Sequence, residues 1–385
     1  MTPFEFQSPV RLVFGEDTSQ DLSCHINALT DKKTGLIITD QGIIDAGLLA
    51  PIHDQLQRDG FSVELFGKVV ADPPEAIIYE AIEAARRMNA GFVIGLGGGS
   101  SMDVAKLVAV LKSSSQSLSD IYGLNGVQKA PKCSLILIPT TSGTGSEVTP
   151  ISVVTVSATS KQGVVDPALY ADFAVLDPLL TLGLPANVSA ATGIDAMVHA
   201  IEAYTSRVKK NPISAGLAIS ALNLLYNNIR RVISDGNDKQ ARAAMLLGSM
   251  QAGQAFSNAP VAAVHALAYP LGSLFHLSHG LSNAMVLSPV LAFNMPVAHE
   301  QYAELERSLD RGASPDNQLA AGAFIARMKK VCADVGIPPG LGALDFKKEA
   351  IDSLAEAAML QGRLLMNNPR EVTLDDAKAL YQEAM

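Results

Sequence analysis

Cysteine, positive charge and long apolar runs are all scarce in this chain, and each shortage removes a class of protein. The three cysteines, Cys24, Cys133 and Cys332, lie far apart and form no CxxC pair. That excludes a disulfide framework and a cysteine-based metal motif, and it suits a reducing cytoplasm. Lysine and arginine total 29 against 38 acidic residues, a net charge of −9, so the basic footprint of a nucleic-acid-binding protein is missing. An anionic cofactor is still allowed, because backbone amides and one or two cations can hold it. No apolar run reaches the ~18 residues of a membrane helix, which sets the expectation of no membrane partner. The opening MTPFEFQSPVRLVFGED lacks the basic start and apolar core of a secretory signal. There is no internal repeat, and KSSSQSLSD at 112–120 reads as a polar loop.

What is present is apolar bulk. Hydrophobic residues make up 48% of the 385, enough for about two domains with large cores. The first half alternates β-like runs, 35–39, 62–66, 92–96 and 134–139, with helical stretches such as PEAIIYEAIEAARRMNA. Pro74 fits the first turn of that helix and Gly91 its end. Such alternation predicts a parallel sheet covered by helices, a Rossmann-like α/β domain. After LDPLLTLGLP the strands stop and long helical segments follow, so the boundary is placed at about 183: an α/β domain over 1–183 and an all-helical domain over 184–385. The β-like stretch 4–14 allows either a hairpin or pairing with another subunit.

Two glycine-rich segments sit in the α/β half. In GFVIGLGGGSSMDVAK, Gly97, Gly98 and Gly99 let a ligand approach the backbone, and Ser100 is placed to cap the next helix. The N–H groups of that helix would then meet a phosphate. The spacing differs from GxGxxG, whose acid is expected about 20 residues further on; here the suitable acid, Asp40, at the end of the first strand, precedes the glycines instead. Alone, Asp40 reads as a turn residue, although a carboxylate there would also accept ribose hydroxyls. In IPTTSGTGSEVTP, Thr140, Thr141 and Thr144 offer hydroxyls at the C-terminal edge of the sheet. Lys161, beyond ISVVTV, would alone be taken for a solvated lysine.

The helical half holds the residues with most chemical content. Asp195 and His199 stand four apart in TGIDAMVHAIEAY and share a helical face. His265 and His279 follow in VHALAYPLGSLFHLSHG. One carboxylate and three imidazoles form a nitrogen/oxygen cage suited to a divalent transition metal. The bland alternative is a set of unrelated, hydrogen-bonded histidines, but four of the seven histidines fall between 265 and 299.

In this order, GGGSSMDVAK, PTTSGTGSE, the DP…LP boundary, GIDAMVHAIEAY and HALAYPLGSLFHLSHG resemble the iron-containing, or group III, alcohol dehydrogenase family over essentially the whole chain. The resemblance implies a dinucleotide-binding α/β domain followed by a helical domain, with an active site in the cleft between them. It implies metal ligation by Asp195, His199, His265 and His279, with Fe(II) favoured and Zn(II) chemically acceptable. It further implies NAD bound at the glycine turn that includes Gly97, with Gly98, Gly99 and Ser100 holding the pyrophosphate and Thr140, Thr141 and Thr144 lining the site. Lys161 would reach the nicotinamide ribose. Asp40 matches an acid found in members that prefer NAD, and Asp103 also matches a family position. The implied activity is hydride exchange with a small alcohol or aldehyde, by a homodimer or larger homo-oligomer. One departure stands out: where many members carry HxxxH, this chain has His265 and then Tyr269. A phenol is a poorer base than imidazole at neutral pH, so the proton path falls to Tyr269 or to nearby His276. Related readings are a glycerol dehydrogenase, a dehydroquinate-synthase-like cyclase and a maleylacetate reductase. The last two are disfavoured because 190–206 and 260–290 hold almost no basic residues for an anionic substrate. A non-catalytic NAD-binding protein is the alternative of a different class.

Overall fold

The computed structural model describes residues 3–128, 132–157, 160–344 and 346–385. The chain divides into two compact units, one of residues 8–184 and the other of 1–7 with 185–385.

The first unit runs β1 (Arg11–Phe14), α1 (Leu22–Asn27), β2 (Thr34–Asp40), α2 (Gln41–Asp45), α3 (Leu49–Arg58), β3 (Ser62–Val69), α4 (Glu75–Arg87), β4 (Phe92–Gly97), α5 (Gly99–Leu111), α6 (Leu118–Ile121), β5 (Gly123–Leu124), β6 (Ser134–Pro139), β7 (Ile151–Ser157), β8 (Ser160–Val165) and β9 (Phe173–Leu176). Six strands form one sheet in the order β1-β9-β6-β4-β2-β3, and every pairing in it is parallel. Alternate residues serve opposite faces. Ile37, Phe92, Ile94, Leu96, Ile136 and Ile138 pack with Leu22 and Ile26 of α1 and Ile52 and Leu56 of α3. Gly95 faces the other way, against Ala105 and Met102 of α5. A sheet covered on both faces explains why β4 is buried along its length and reads as one apolar run.

Strand order also fixes where a ligand can sit. The chain passes from β2 outward to β3, then returns across β2 to β4 and continues to β6 and β9. The order therefore reverses between β2 and β4, and open α/β sheets bind ligands beyond the strand ends at such a switch point. Asp40 ends β2, the triple glycine follows β4, and PTTSGTGSE follows β6.

Several local expectations are corrected. Helix α4 ends not at Gly91 but through Asn89, which takes the left-handed conformation (φ 51°) that a short polar side chain tolerates. Gly91 instead lies against the Lys32 side chain. The N-terminal stretch forms no hairpin: only 11–14 is a strand, and it pairs in parallel with β9 of the same chain. Within 112–120 the polar run is a loop only up to Ser117, which caps α6 in a reciprocal capping box with Asp120. A second, three-stranded sheet, β5-β8-β7, contains an antiparallel β7–β8 pair that the sequence pattern did not announce.

The second unit contains α7 (Ala186–Thr205), α8 (Pro212–Ser234), α9 (Lys239–Asn258), α10 (Ala263–Phe275), α11 (His279–Leu309), α12 (Asn317–Asp334), α13 (Ile351–Met359), α14 (Gly362–Leu365) and α15 (Leu374–Glu383), with no strand among its described residues. Helix α7 packs against α8, α9 and α11, and its residues from Gly193 to Thr205 are all buried. By length and composition alone α11 could cross a membrane, but most of that stretch is buried inside the unit, as in a core helix.

Candidate functional site

Four side chains converge in the helical unit. Asp195 and His199 come from one face of α7, His265 from the first turn of α10, and His279 is the first residue of α11. One ligand atom from each lies within 4.8 Å of all the others. His265 Nε2 is 3.0 Å from His199 Nε2 and 3.8 Å from Asp195 Oδ1, and His279 Nε2 is 3.5 Å from the same oxygen. Tetrahedral ligands at about 2.0–2.2 Å from an ion stand about 3.3–3.6 Å apart, so the observed separations bracket what a single ion requires. Asp195, His199 and His265 are buried, while the His279 side chain is 35% exposed. Burial would raise the Asp195 carboxyl, but the charges of His199, His279 and His265 and the N–H of Asn283 outweigh it and hold it below the ordinary range. The donor set fits a divalent transition metal.

Two further residues frame the centre and were missed in the sequence. Glu202 Oε2 meets His265 Nδ1 at 2.6 Å, and its Oε1 accepts from the Val264 backbone N–H at 2.7 Å. Asn283 Nδ2 donates to Asp195 Oδ1 at 2.6 Å and lies 3.3 Å from both His265 Nε2 and His279 Nε2. Helical spacing held the signal: Glu202 follows Asp195 by seven positions and His199 by three, and Asn283 follows His279 by four. The His199 ring stacks on Phe256 with centroids 4.3 Å apart, and the Tyr269 ring lies 6.0 Å from that of His279. His276 is not drawn into the cluster. It is the exposed, left-handed C-cap of α10 (φ 58°).

In the α/β unit the glycine turn, the threonine loop and Asp40 adjoin. Gly97 has φ +144°, a backbone that other residues rarely adopt, and a Cβ there would stand 2.8 Å from Ser101 Oγ and 3.2 Å from Asp40 Oδ2. The Thr140 N–H donates to Gly97 O at 3.0 Å. Thr141 is the neighbour that a Cβ on Gly98 would meet, and Thr144 the one on Gly99. Ser100 does not cap α5: the N-cap is Gly98, and Ser100 lies inside the first turn. Asp40 plays two parts, accepting from Ile43 N at 3.2 Å as cap of α2 and from Ser101 Oγ at 3.3 Å beside the glycine turn.

Asp103 and Lys106 tie the two loops together. Asp103 accepts from Ser146 Oγ at 2.6 Å and Val153 N at 2.9 Å. The fully buried Lys106 ammonium donates to Ser146 Oγ, Thr149 Oγ1 and Ile151 O at 2.7, 3.1 and 2.7 Å. Burial pushes Lys106 down to about 8 and neighbouring Glu147 up to about 7. Lys161 is not a solvated lysine: its Nζ is 2.6 Å from Asp72 Oδ1.

The model of the iron-containing alcohol dehydrogenase family matches residues 9–178, and that of the family's C-terminal part matches residues 189–385. The chain belongs to this family. It is accordingly an oxidoreductase, an NAD-linked alcohol dehydrogenase or aldehyde reductase. A long-chain-alcohol dehydrogenase of Geobacillus thermodenitrificans is 42% identical over 91% of this chain and 89% of that protein. The crystal structure of a 1,3-propanediol oxidoreductase superposes with a TM-score of 0.95 at 30% identity, covering all of both chains. A sulfoacetaldehyde reductase from Bifidobacterium kashiwanohense, solved in complex with NAD+, superposes with a TM-score of 0.88 at 27% identity, over 100% of this chain and 99% of that one.

Proposed function

We propose that this dehydrogenase exchanges hydride between NAD(H) and a small primary alcohol or aldehyde with an uncharged carbon skeleton. Its metal centre would be Asp195, His199, His265 and His279, with Fe(II) as the working ion and Zn(II) as the second ion the donors accept. The convergence of those four ligand atoms carries the reading. The ion would serve there as a Lewis acid toward the substrate oxygen. The uncharged substrate is supported by α7, α10 and residues 279–290, which together contain no lysine or arginine.

On the α/β side, Gly97, Gly98, Gly99 and Ser100 would present the N-terminal N–H groups of α5 to the pyrophosphate. Thr140, Thr141 and Thr144 would line the cofactor, Asp103 would brace their loop through Ser146, and Lys161 would approach the nicotinamide ribose. The Asp40 carboxylate would accept ribose hydroxyls and repel a 2′-phosphate. The Tyr269 phenol, beside His279, would deliver a proton from Oη to the product oxygen during aldehyde reduction, and exposed His276 would exchange protons with solvent. Cytoplasmic residence is supported by three free cysteines. A homo-oligomeric state is supported by the outer edge of β1, where Leu12 and Phe14 stand exposed.

The test is a panel of aldehydes with NADH and NADPH, on protein loaded separately with Fe(II) or Zn(II). Straight-chain aldehydes should turn over with NADH, and carboxylate- or sulfonate-bearing ones at least about tenfold less well, a difference of about 1.4 kcal/mol. NADH binding without turnover of any aldehyde would favour the non-catalytic reading and sink this one. Asp40→Ser should narrow the preference for NADH over NADPH by at least about tenfold (again about 1.4 kcal/mol). An unchanged preference would remove Asp40 from the cofactor site.

A further inference from the structure

Glu202 is a buried carboxylate in an apolar helix, and its two oxygens have separate tasks. The first concerns helix α10, whose N-cap, Ala262, has no side chain able to cap it. The first N–H groups of a helix need outside partners, and Glu202 Oε1 takes the one from Val264. The negative charge there also suits the positive end of the helix dipole. The second task falls to Oε2, 2.6 Å from His265 Nδ1. A carboxylate only accepts, so Nδ1 must carry the proton. The other ring nitrogen, Nε2, then keeps its lone pair, and Nε2 is the atom that faces His199, Asp195 and His279.

We propose that Glu202 is a positioning residue for the metal centre: it fixes the tautomer and ring orientation of His265 while anchoring the start of the helix that carries it. The proposal rests on the four-ligand reading of the centre. Glutamine is the informative substitute. It has one acceptor oxygen and one N–H₂ group, so it can accept from Val264 or from His265, but not from both. When its oxygen stays on Val264, its N–H₂ meets Nδ1, the proton shifts to Nε2, and the imidazole points a proton into the cage.

The experiment measures Zn(II) affinity of the ion-stripped full-length chain by competition with a chelator, for the parent, Glu202→Gln and Glu202→Asp. Glu202→Gln should bind Zn(II) about 10- to 100-fold more weakly, the usual cost of removing such a partner. Glu202→Asp should recover part of the loss, and NADH affinity should stay within about twofold in both. A purely structural role for Glu202 would not distinguish the carboxylate from its amide in this way. Independently of the Glu202 variants, nitrogen-15 NMR of the ion-stripped parent should show His265 protonated at Nδ1, assigned by the signal lost in His265→Asn. Zn(II) binding within twofold of the parent in Glu202→Gln, or a proton on Nε2 in the parent, overturns the proposal. A parent that binds no Zn(II) overturns the four-ligand reading beneath it.

Discussion

Replacing His265 with alanine is expected to strip the metal and lower turnover by about a thousandfold or more, while leaving NADH binding intact. The direction follows from geometry, because His265 Nε2 lies within 3.8 Å of both His199 Nε2 and Asp195 Oδ1. The magnitude follows from the several kcal/mol that a Lewis acid supplies to a developing oxyanion, at about 1.4 kcal/mol per factor of ten. Alanine also leaves Glu202 with an unpaired buried oxygen, which destabilises the fold in its own right. His265→Asn separates the two effects, since its amide offers an N–H near the Nδ1 position and no ligand at Nε2. Metal content by elemental analysis, steady-state rates and NADH fluorescence titration together decide the matter. A variant that kept its metal and full turnover would remove His265 from the ligand set.

The second large effect is expected at Gly280, where α11 begins. A Cβ at this position would stand 2.3 Å from Ala191 O and 2.6 Å from Ala191 C, both backbone atoms of α7. Neither can rotate away, so the two helices must part. Asp195 lies one turn further along α7, and His279 is the residue before Gly280. Gly280→Ala should therefore cost about 3 kcal/mol of stability, at the upper end of overpacking, and should also weaken metal binding. Gly322, inside α12, is the control, because a Cβ there meets nothing within 4 Å. Gly322→Ala should be neutral or stabilising by up to about 1 kcal/mol. Denaturant unfolding of the ion-free proteins, followed by ion titration, measures both effects. Equal stability and affinity in Gly280→Ala and the parent would mean that the α7–α11 contact is looser than described.

What could be read from the sequence was what repeats locally. Strands β2, β4 and β6 were visible because strands buried on both faces become uninterrupted apolar runs. Asp195 and His199 were visible because four residues make about one helical turn. Strand β8, SKQGVV, was not, since it carries a lysine, a glutamine and a glycine and shows no alternation. The pairing of Lys161 with Asp72 joins residues far apart in the chain, and no local pattern encodes it. Nearness in sequence also misled. His276 and His299 inflated the histidine cluster, yet His276 ends α10 on the surface, and His299 lies about 30 Å along α11 from His279 at 1.5 Å per residue. Glu202 escaped because an acid at the end of a strongly apolar helix looks like a solvated end residue. Its burial and its two acceptors emerge only when α10 is placed beside it.

The parallel pairing of Arg11 with Phe173 also bears on how the sheet is assembled. Once β2 is made, β3, β4, β6 and β9 can each join a neighbour already synthesised, whereas β1 leaves the ribosome before all of them and finds its place after all of them. Its short segment must wait, with Leu12 and Phe14 uncovered, until the far edge exists, and closing so large a loop is slow relative to local contacts. The nascent chain thus carries its earliest strand as its last rung, and during that interval the β9 edge is open to strands from other chains.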